Sequence, residues 1–326
     1  MPTIDPRLTE AEIQSLRDQH YNATVTYLWR PTRHLMRVRV RLDEGVQEEG
    51  VALNYEPGQY TTLGMGYWEP RVPEADKEDL DDKKLRRMVK RAYSISCRLL
   101  DDNDRVTPSG PEDEIEFYIA LVLKAEKTPP ALTPRLFVTR LGDRLHMGPR
   151  TKGAFTLEDV KPTDNVLFAG TGTGEAPHNA MLSKLLASGH QGQITNACCV
   201  RYHEDLGYTR EHNTLMREFP NYRYLPLTTR EIENRDTKHP DYVGVRYVQD
   251  LLDGEKVAEE IGFELDPAQT HVYLCGNPAM IGIPNKKDHP DGRYPKPRGV
   301  VEVLEEKGFR ADEPKTPGNI HYEKYW

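Results

Sequence analysis

One stretch limits the possible folds more than any other: Gly170-Thr171-Gly172-Thr173-Gly174-Glu175-Ala176-Pro177. It follows a short apolar run, Asn165–Ala169, and opens an amphipathic run, Pro177–Leu186. The order strand, tight glycine turn, helix is that of a parallel α/β sheet. Backbone N–H groups and the positive end of the helix dipole there favour an anionic phosphate. The GxGxxG spacing is not matched, because Glu175 takes the third glycine position. A tight structural turn with no ligand gives the same letters.

The pattern around this turn changes along the chain. Downstream, apolar runs at Ile194–Tyr202, Tyr222–Thr228 and His271–Cys275 alternate with helical patterns at His212–Phe219, Val248–Ile261 and Val300–Lys307, the last closing the series. Such alternation predicts βαβ units. Upstream, strand-like runs at Ala23–Leu28, Leu35–Leu42, Gln59–Leu63, Ala92–Cys97 and Glu114–Leu123 are separated by turn residues. Many short strands with turn punctuation predict an antiparallel barrel or sandwich. Thr133-Pro134 suits the start of a helix over Arg135–Leu141, with threonine as its cap. The domain boundary is placed at 160/161, with residues 1–20 an extension, 21–160 a β domain and 161–326 an α/β domain. Met65–Lys90 and Ile283–Arg298 read as polar surface insertions.

Composition narrows the function classes. A net charge of −8 argues against general nucleic-acid binding, which needs a basic face. No apolar run reaches the roughly 20 residues that span a bilayer, and Met1–Gln19 lacks a signal-peptide core, so a cytoplasmic protein is expected. The four cysteines, Cys97, Cys198, Cys199 and Cys275, form no CxxC and no cluster suited to zinc or iron–sulfur, so no metal is expected. Adjacent Cys198 and Cys199 on a strand point to opposite faces, and buried thiols are expected.

Three further motifs carry chemistry. In Arg91-Ala92-Tyr93-Ser94, a strand puts Arg91 and Tyr93 on one face, about 7 Å apart. An arginine can fork onto a pyrophosphate, and a tyrosine ring can cover a flat heterocycle. Cys275-Gly276-Asn277-Pro278 ends a strand, at the carboxyl edge where open parallel sheets form their sites. The final Tyr325 and Trp326 suggest a docked aromatic tail, since chain ends fray unless tied down. Each has a bland reading too: a half-buried strand, a buried cysteine before a turn, an accidental tail.

In this order the motifs resemble the ferredoxin/flavodoxin–NADP⁺ reductase family, most closely the bacterial members ending in an aromatic pair. The resemblance covers about Tyr21 to Trp326 and includes Gly58-Gln59-Tyr60, RAYS at 91–94, TPRL at 133–136, GTGTGEAP, CGNP and the terminal YW. The N-terminal arm and both insertions depart from the family pattern. The resemblance implies an antiparallel FAD-binding β-barrel followed by a parallel-sheet NADP(H)-binding α/β domain. It implies that Arg91 and Ala92 lie along the FAD pyrophosphate, that Tyr93 stacks on the flavin, and that Ser94 hydrogen-bonds near flavin N5. Tyr118 and Ile119 then line the flavin and ribityl chain, and Thr133 caps a helix facing the FAD phosphates. Thr173 then sits where flavin and nicotinamide meet, Cys275 lets the nicotinamide approach closely, Thr171, Gly172, Gly276 and Asn277 are further cofactor-binding residues, and Tyr325 and Trp326 cover flavin or adenine. Tyr93, Ser94 and Cys275 shape the hydride-transfer contact.

NADP(H) needs cations for its 2′-phosphate, and arginine suits it best. Arg201, the Thr229-Arg230 pair and Arg246 match the positions that bind it in the similar bacterial enzymes. The expected partners are ferredoxin or flavodoxin, usually acidic proteins, and the basic run Lys83–Lys90 is the candidate docking face, against the simpler reading of a solvated segment with paired charges. A monomer is expected. Two other readings stay open: an NADPH-dependent free-flavin or ferric reductase with no protein acceptor, and a non-catalytic nucleotide-binding module of an electron-transfer complex.

Overall fold

Leu35–Leu42 shows how sequence sets structure in the first half of the chain. Its alternation buries Met36, Val38 and Val40 on one face, as a strand with a period of two requires. The arginines between them turn to the other face, where Arg37 and Arg39 meet buried Glu116 at 3.3 and 2.8 Å. A computed structural model describes residues 5–46, 53–110, 112–284, 292–313 and 316–325. The chain forms two compact units, Met1–Cys97 with Gly110–Ala154, and Arg98–Ser109 with Phe155–Trp326. Among the described residues no helix is long and apolar enough to cross a membrane.

The first unit contains α1 (Glu10–His20), β1 (Ala23–Thr32), β2 (Leu35–Leu42), β3 (Tyr60–Gly66), α2 (Asp82–Leu85), β4 (Met88–Ser94), β5 (Glu114–Ala120), α3 (Thr133–Leu136) and β6 (Arg144–Met147). Its six strands are antiparallel in the order β4-β3-β6-β1-β2-β5. A bridge between Ser96 and Glu116, just past β4, ties that edge to β5 and closes the sheet on itself, barrel-like.

Two expectations for this unit fail. Met65–Lys90 is not a polar surface insertion: it contributes the end of β3, all of α2, and the buried Trp68 and Leu85. These pack with Leu8, Ile13 and Tyr21 in a satellite core, so α1 is a docked helix. Burying Ile13 alone is worth about 2 kcal/mol. Glu69 fastens the joint by accepting from Arg17 (2.6 Å), Tyr21 (2.9 Å) and Trp68 (3.1 Å). The expected helix Arg135–Leu141 is the single turn α3, and Thr133 does not cap it. Leu132 holds the cap position, while the Thr133 hydroxyl accepts from the Val122 N–H at 3.1 Å.

The second unit contains β7 (Asn165–Thr171), α4 (Glu175–Ala187), β8 (Ile194–Val200), α5 (Thr209–Glu218), β9 (Tyr222–Thr228), α6 (Ile232–Arg235), α7 (Val248–Asp253), α8 (Val257–Ile261), β10 (Thr270–Gly276), α9 (Pro278–Ile281), α10 (Val300–Glu306) and β11 (Ile320–Lys324). Its sheet is parallel throughout, in the order β11-β10-β7-β8-β9. The Val248–Ile261 pattern is two helices broken at Gly254. A further strand, β11, follows α10, where the sequence pattern closes on the helix Val300–Lys307. Its five residues, IHYEK, show no clean apolar alternation, yet it pairs with β10 along its whole length. Residues 98–109 cover α4, with Ser109 donating to the Ala180 carbonyl and Ser183 to that of Thr107. This explains why α4 is buried nearly all round. Part of the 283–298 stretch lies outside the described residues.

Candidate functional site

In the first unit, the candidate residues gather on β4 and β5. Strand β4 is the edge of the sheet and pairs with β3, setting Ser94 opposite Tyr60, Tyr93 opposite Thr61 and Arg91 opposite Leu63. Arg91 and Ala92 are exposed, Tyr93 is half-buried and Ser94 is buried. The Arg91 guanidinium donates to the Lys90 carbonyl at 2.8 Å. The Tyr93 ring meets Phe117 edge-on at 6.5 Å, and burial pushes its hydroxyl pKa up, so it stays protonated. Tyr118 and Ile119 are buried on β5. Ser94 and Tyr118 flank the Ser96–Glu116 bridge, two residues away on each strand. An exposed arginine beside a half-open ring on this outer strand suits a phosphate-bearing flat cofactor.

Thr133 stands just past the end of β5, where its hydroxyl accepts from the Val122 N–H. The residue after its proline has more structural weight. Arg135 is buried and forks onto Glu78 at 3.0 and 2.7 Å, with Tyr67 beneath its guanidinium. Nothing in the local sequence marks that pair, because Glu78 sits in Met65–Lys90, which reads as a polar surface insertion.

In the second unit, the turn after β7 and the turn after β10 are built against each other. A Cβ on Gly174 would lie 2.3 Å from the Cys275 carbonyl oxygen, so only glycine permits this approach. Gly172 needs glycine for a different reason: its φ is +55°, with open space where a Cβ would stand. The Asn277 N–H donates to the Thr171 hydroxyl at 2.8 Å, and the Asn277 side chain caps α9. Tyr325, just past β11, donates its N–H to the Gly276 carbonyl at 3.1 Å and its hydroxyl to the Thr173 carbonyl at 3.4 Å. Thr171, Gly172, Thr173, Cys275, Gly276, Asn277 and Tyr325 therefore share the carboxyl edge of the sheet. Cys275 is buried, and burial pushes its thiol pKa well up, so it is no thiolate nucleophile. The tightness of the Gly174 approach leaves an open, half-exposed glycine-threonine cradle in front of α4 that fits a phosphate. Trp326 lies outside the described residues.

The arginines separate into two kinds. The Arg201 carbonyl accepts from the N–H groups of Thr229 (3.3 Å) and Arg230 (2.9 Å), so both segments meet at the ends of β8 and β9. Both arginines are exposed, and the Thr229 hydroxyl donates to the Val200 carbonyl. Arg246 instead grips both oxygens of Glu260, one at 2.7 Å. That pairing raises the arginine's pKa and lowers the carboxyl's.

A buried polar cluster behind the glycine turn leaves almost no mark in the sequence. Glu175, first residue of α4, accepts from His212 Nε2 and from the Tyr224 hydroxyl, each at 3.0 Å. His212 Nδ1 lies 2.8 Å from the Tyr222 hydroxyl. The one available signal was Glu175 itself, standing where the glycine fingerprint expects glycine. Among the described residues no group of side chains could hold a metal ion.

Comparison with known proteins gives the following likenesses. Residues 168–286 match the family of the oxidoreductase NAD-binding domain. The chain is 25% identical over 273 residues to a flavodoxin/ferredoxin–NADP reductase of Buchnera aphidicola, covering 83% of this chain and 88% of that one. It is 24% identical over 229 residues to that of Escherichia coli, covering 70% and 77%. A ferredoxin NADP⁺ reductase from Neisseria gonorrhoeae, solved with bound FAD and NADP, superposes with a TM-score of 0.65 at 17% identity, covering 93% of this chain and 98% of that one.

Proposed function

From its likeness to ferredoxin/flavodoxin–NADP reductases, we propose that the chain is a member of that family, an FAD-dependent oxidoreductase moving hydride between NADP(H) and flavin, and single electrons to or from ferredoxin or flavodoxin. One observation carries the reading: the glycine-threonine turn, the Cys275–Asn277 turn and the Tyr325 segment are joined at the carboxyl edge of a parallel sheet. Bound FAD supplies the chemistry, taking electrons as a pair and passing them on singly.

The residues of the chain bind and orient. On the first unit, Arg91 neutralises pyrophosphate, Tyr93 lies against the flavin ring, and Ser94, Tyr118 and Ile119 shape the pocket around it. Thr133 has no direct part in this reading. On the second unit, the Thr171–Gly174 turn holds the NADP(H) pyrophosphate, and Cys275, neutral and small, allows the nicotinamide close approach. Arg201 and Arg230 meet the 2′-phosphate. Arg246 joins them by exchanging Glu260 for the phosphate. Tyr325 gives way when nicotinamide enters, and such a step can limit turnover.

For the carrier, the basic run supplies a docking face, although part of it is engaged: Arg86 reaches Glu12 at 3.4 Å, and Lys84 lies over Tyr67. Lys83 and Arg87 are exposed and are the charges offered to an acidic partner. The cysteines, all four buried, suit a reducing, cytoplasmic setting.

The test is the visible spectrum of the purified protein, followed on anaerobic addition of NADPH and separately of NADH. The reading expects a flavin spectrum bleached rapidly by NADPH and slowly by NADH. Failure to hold flavin after FAD is added sinks it. Fast bleaching with no electron delivery to ferredoxin or flavodoxin favours a small-molecule reductase.

A further inference from the structure

The Glu175 cluster joins four elements. Glu175 stands one residue past the glycine turn, at the start of α4; His212 is on α5; Tyr222 and Tyr224 are on β9, sharing a face by the two-residue period; Cys198 on β8 lies beside them. All five are buried. A carboxylate only accepts, so His212 donates from Nε2, and its Nδ1 is left to pair with Tyr222. The His212 and Tyr224 rings stack at 4.1 Å, which fixes the angle of both donors. Burial and the nearby Glu175 push the Cys198 thiol pKa up, so Cys198 stays a neutral thiol.

This arrangement does something an apolar contact cannot. Strand β9 is at the edge of the sheet, and among the described residues β8 is its one strand partner. Apolar packing resists separation but tolerates sliding, whereas paired donors on one carboxylate oxygen set a length. The tied points also matter. One end is the first residue after the candidate pyrophosphate turn. The other is the strand that delivers Thr229 and Arg230 to its carboxyl end. NADP(H) and NAD(H) differ at the ribose 2′ group and share the pyrophosphate. The spacing between turn and edge strand therefore acts on one of them.

We propose that Glu175 is a positioning residue for dinucleotide choice, holding β9 through His212 and Tyr224 so that Arg201 and Arg230 stand at the right reach for a 2′-phosphate. This rests on the NADP(H) reading above. The experiment uses the purified full chain with its flavin, titrated with NADP⁺ and with NAD⁺, and records the melting midpoint alongside. Tyr224→Phe keeps the ring stack and removes one donor. It is expected to raise the NADP⁺ dissociation constant about tenfold while leaving that for NAD⁺ unchanged. Glu175→Gln keeps an acceptor oxygen for both donors and is expected to retain most of the preference. Should Tyr224→Phe yield no folded protein, Tyr222→Phe cuts the outer link to His212 and reads the same ratio.

If both constants rise together, or neither moves while the melting midpoint falls, the cluster is structural only and the inference is overturned. A wild-type chain that binds neither dinucleotide fails differently: it removes the function reading, and this inference with it.

Discussion

The two units build their candidate sites from different material. On β4 the work falls to side chains: Arg91, Tyr93 and Ser94 are placed by strand alternation, and the backbone beneath them is ordinary. At the carboxyl edge of the parallel sheet the backbone does it. Gly174 passes against the Cys275 carbonyl, Asn277 N–H seeks Thr171, and Tyr325 N–H seeks Gly276. A side-chain site can lose one contact and keep its frame. A backbone site carries its frame and its function in the same atoms, so a single methyl group can remove both.

The largest expected effect tests that contrast. Gly174→Ala drives a methyl into a backbone carbonyl that has no rotamer to escape by, and is expected to cost more than about 3 kcal/mol of stability. Gly172→Ala meets only the penalty of its positive φ, about 1 kcal/mol. Denaturant unfolding of both variants checks this. Equal losses would mean that the turn tolerates the close approach and that the backbone argument is wrong.

Next in size is an opposition in pH dependence. In the second unit His178 is fully buried between Phe168 and Phe155, and burial lowers its pKa to about 3. The unfolded chain, with histidine near 6.5, then binds more protons, so this contribution is whole above pH 6.5 and is lost as pH falls toward 3. In the first unit burial raises Glu112 to about 7 despite the Tyr55 hydroxyl at 2.6 Å. Here the folded chain binds more protons, so the contribution is whole below 4.5 and is lost as pH rises through 7. His178→Leu should flatten the acid limb of stability by up to about 1.4 kcal/mol per pH unit, and Glu112→Gln should change the slope in the opposite sense. Parallel shifts in stability-versus-pH curves for the two variants would contradict both assignments.

The smallest effect sharpens the comparison within the second unit. Arg230 is exposed, whereas Arg246 already holds Glu260. Arg230→Ala is expected to weaken NADP⁺ binding about tenfold, the worth of one charged hydrogen bond. Arg246→Ala should cost less, because the phosphate must first displace a carboxylate. Titration with NADP⁺ decides, and the reverse order would show that Glu260 is a partner of convenience.

Much of this was legible in the residues. Leu35–Leu42 and Tyr222–Thr228 have the strand bounds the alternation gives, and the glycine turn follows a strand and opens a helix. What stayed hidden has a common character. Strand β11 carries no apolar alternation and exists because β10 offers an unpaired edge. Trp68 and Leu85 lie in a charged stretch, and only α1 turns them into a core. Thr133 has the letters of a cap, but Val122 was nearer.

The residues alone set local matters wherever a period is clean, as in Leu35–Leu42 and the glycine turn: which side chains share a face and where the chain turns follow from periods of 2 and 3.6 residues and from glycine's freedom. The tertiary structure alone decided which distant groups meet. Arg246 finds Glu260, Arg135 finds Glu78, and Glu175 finds His212 and Tyr224. Those pairings depend on chain segments 14 to 57 residues apart being brought within hydrogen-bonding distance, and that is set by the packing of the whole unit.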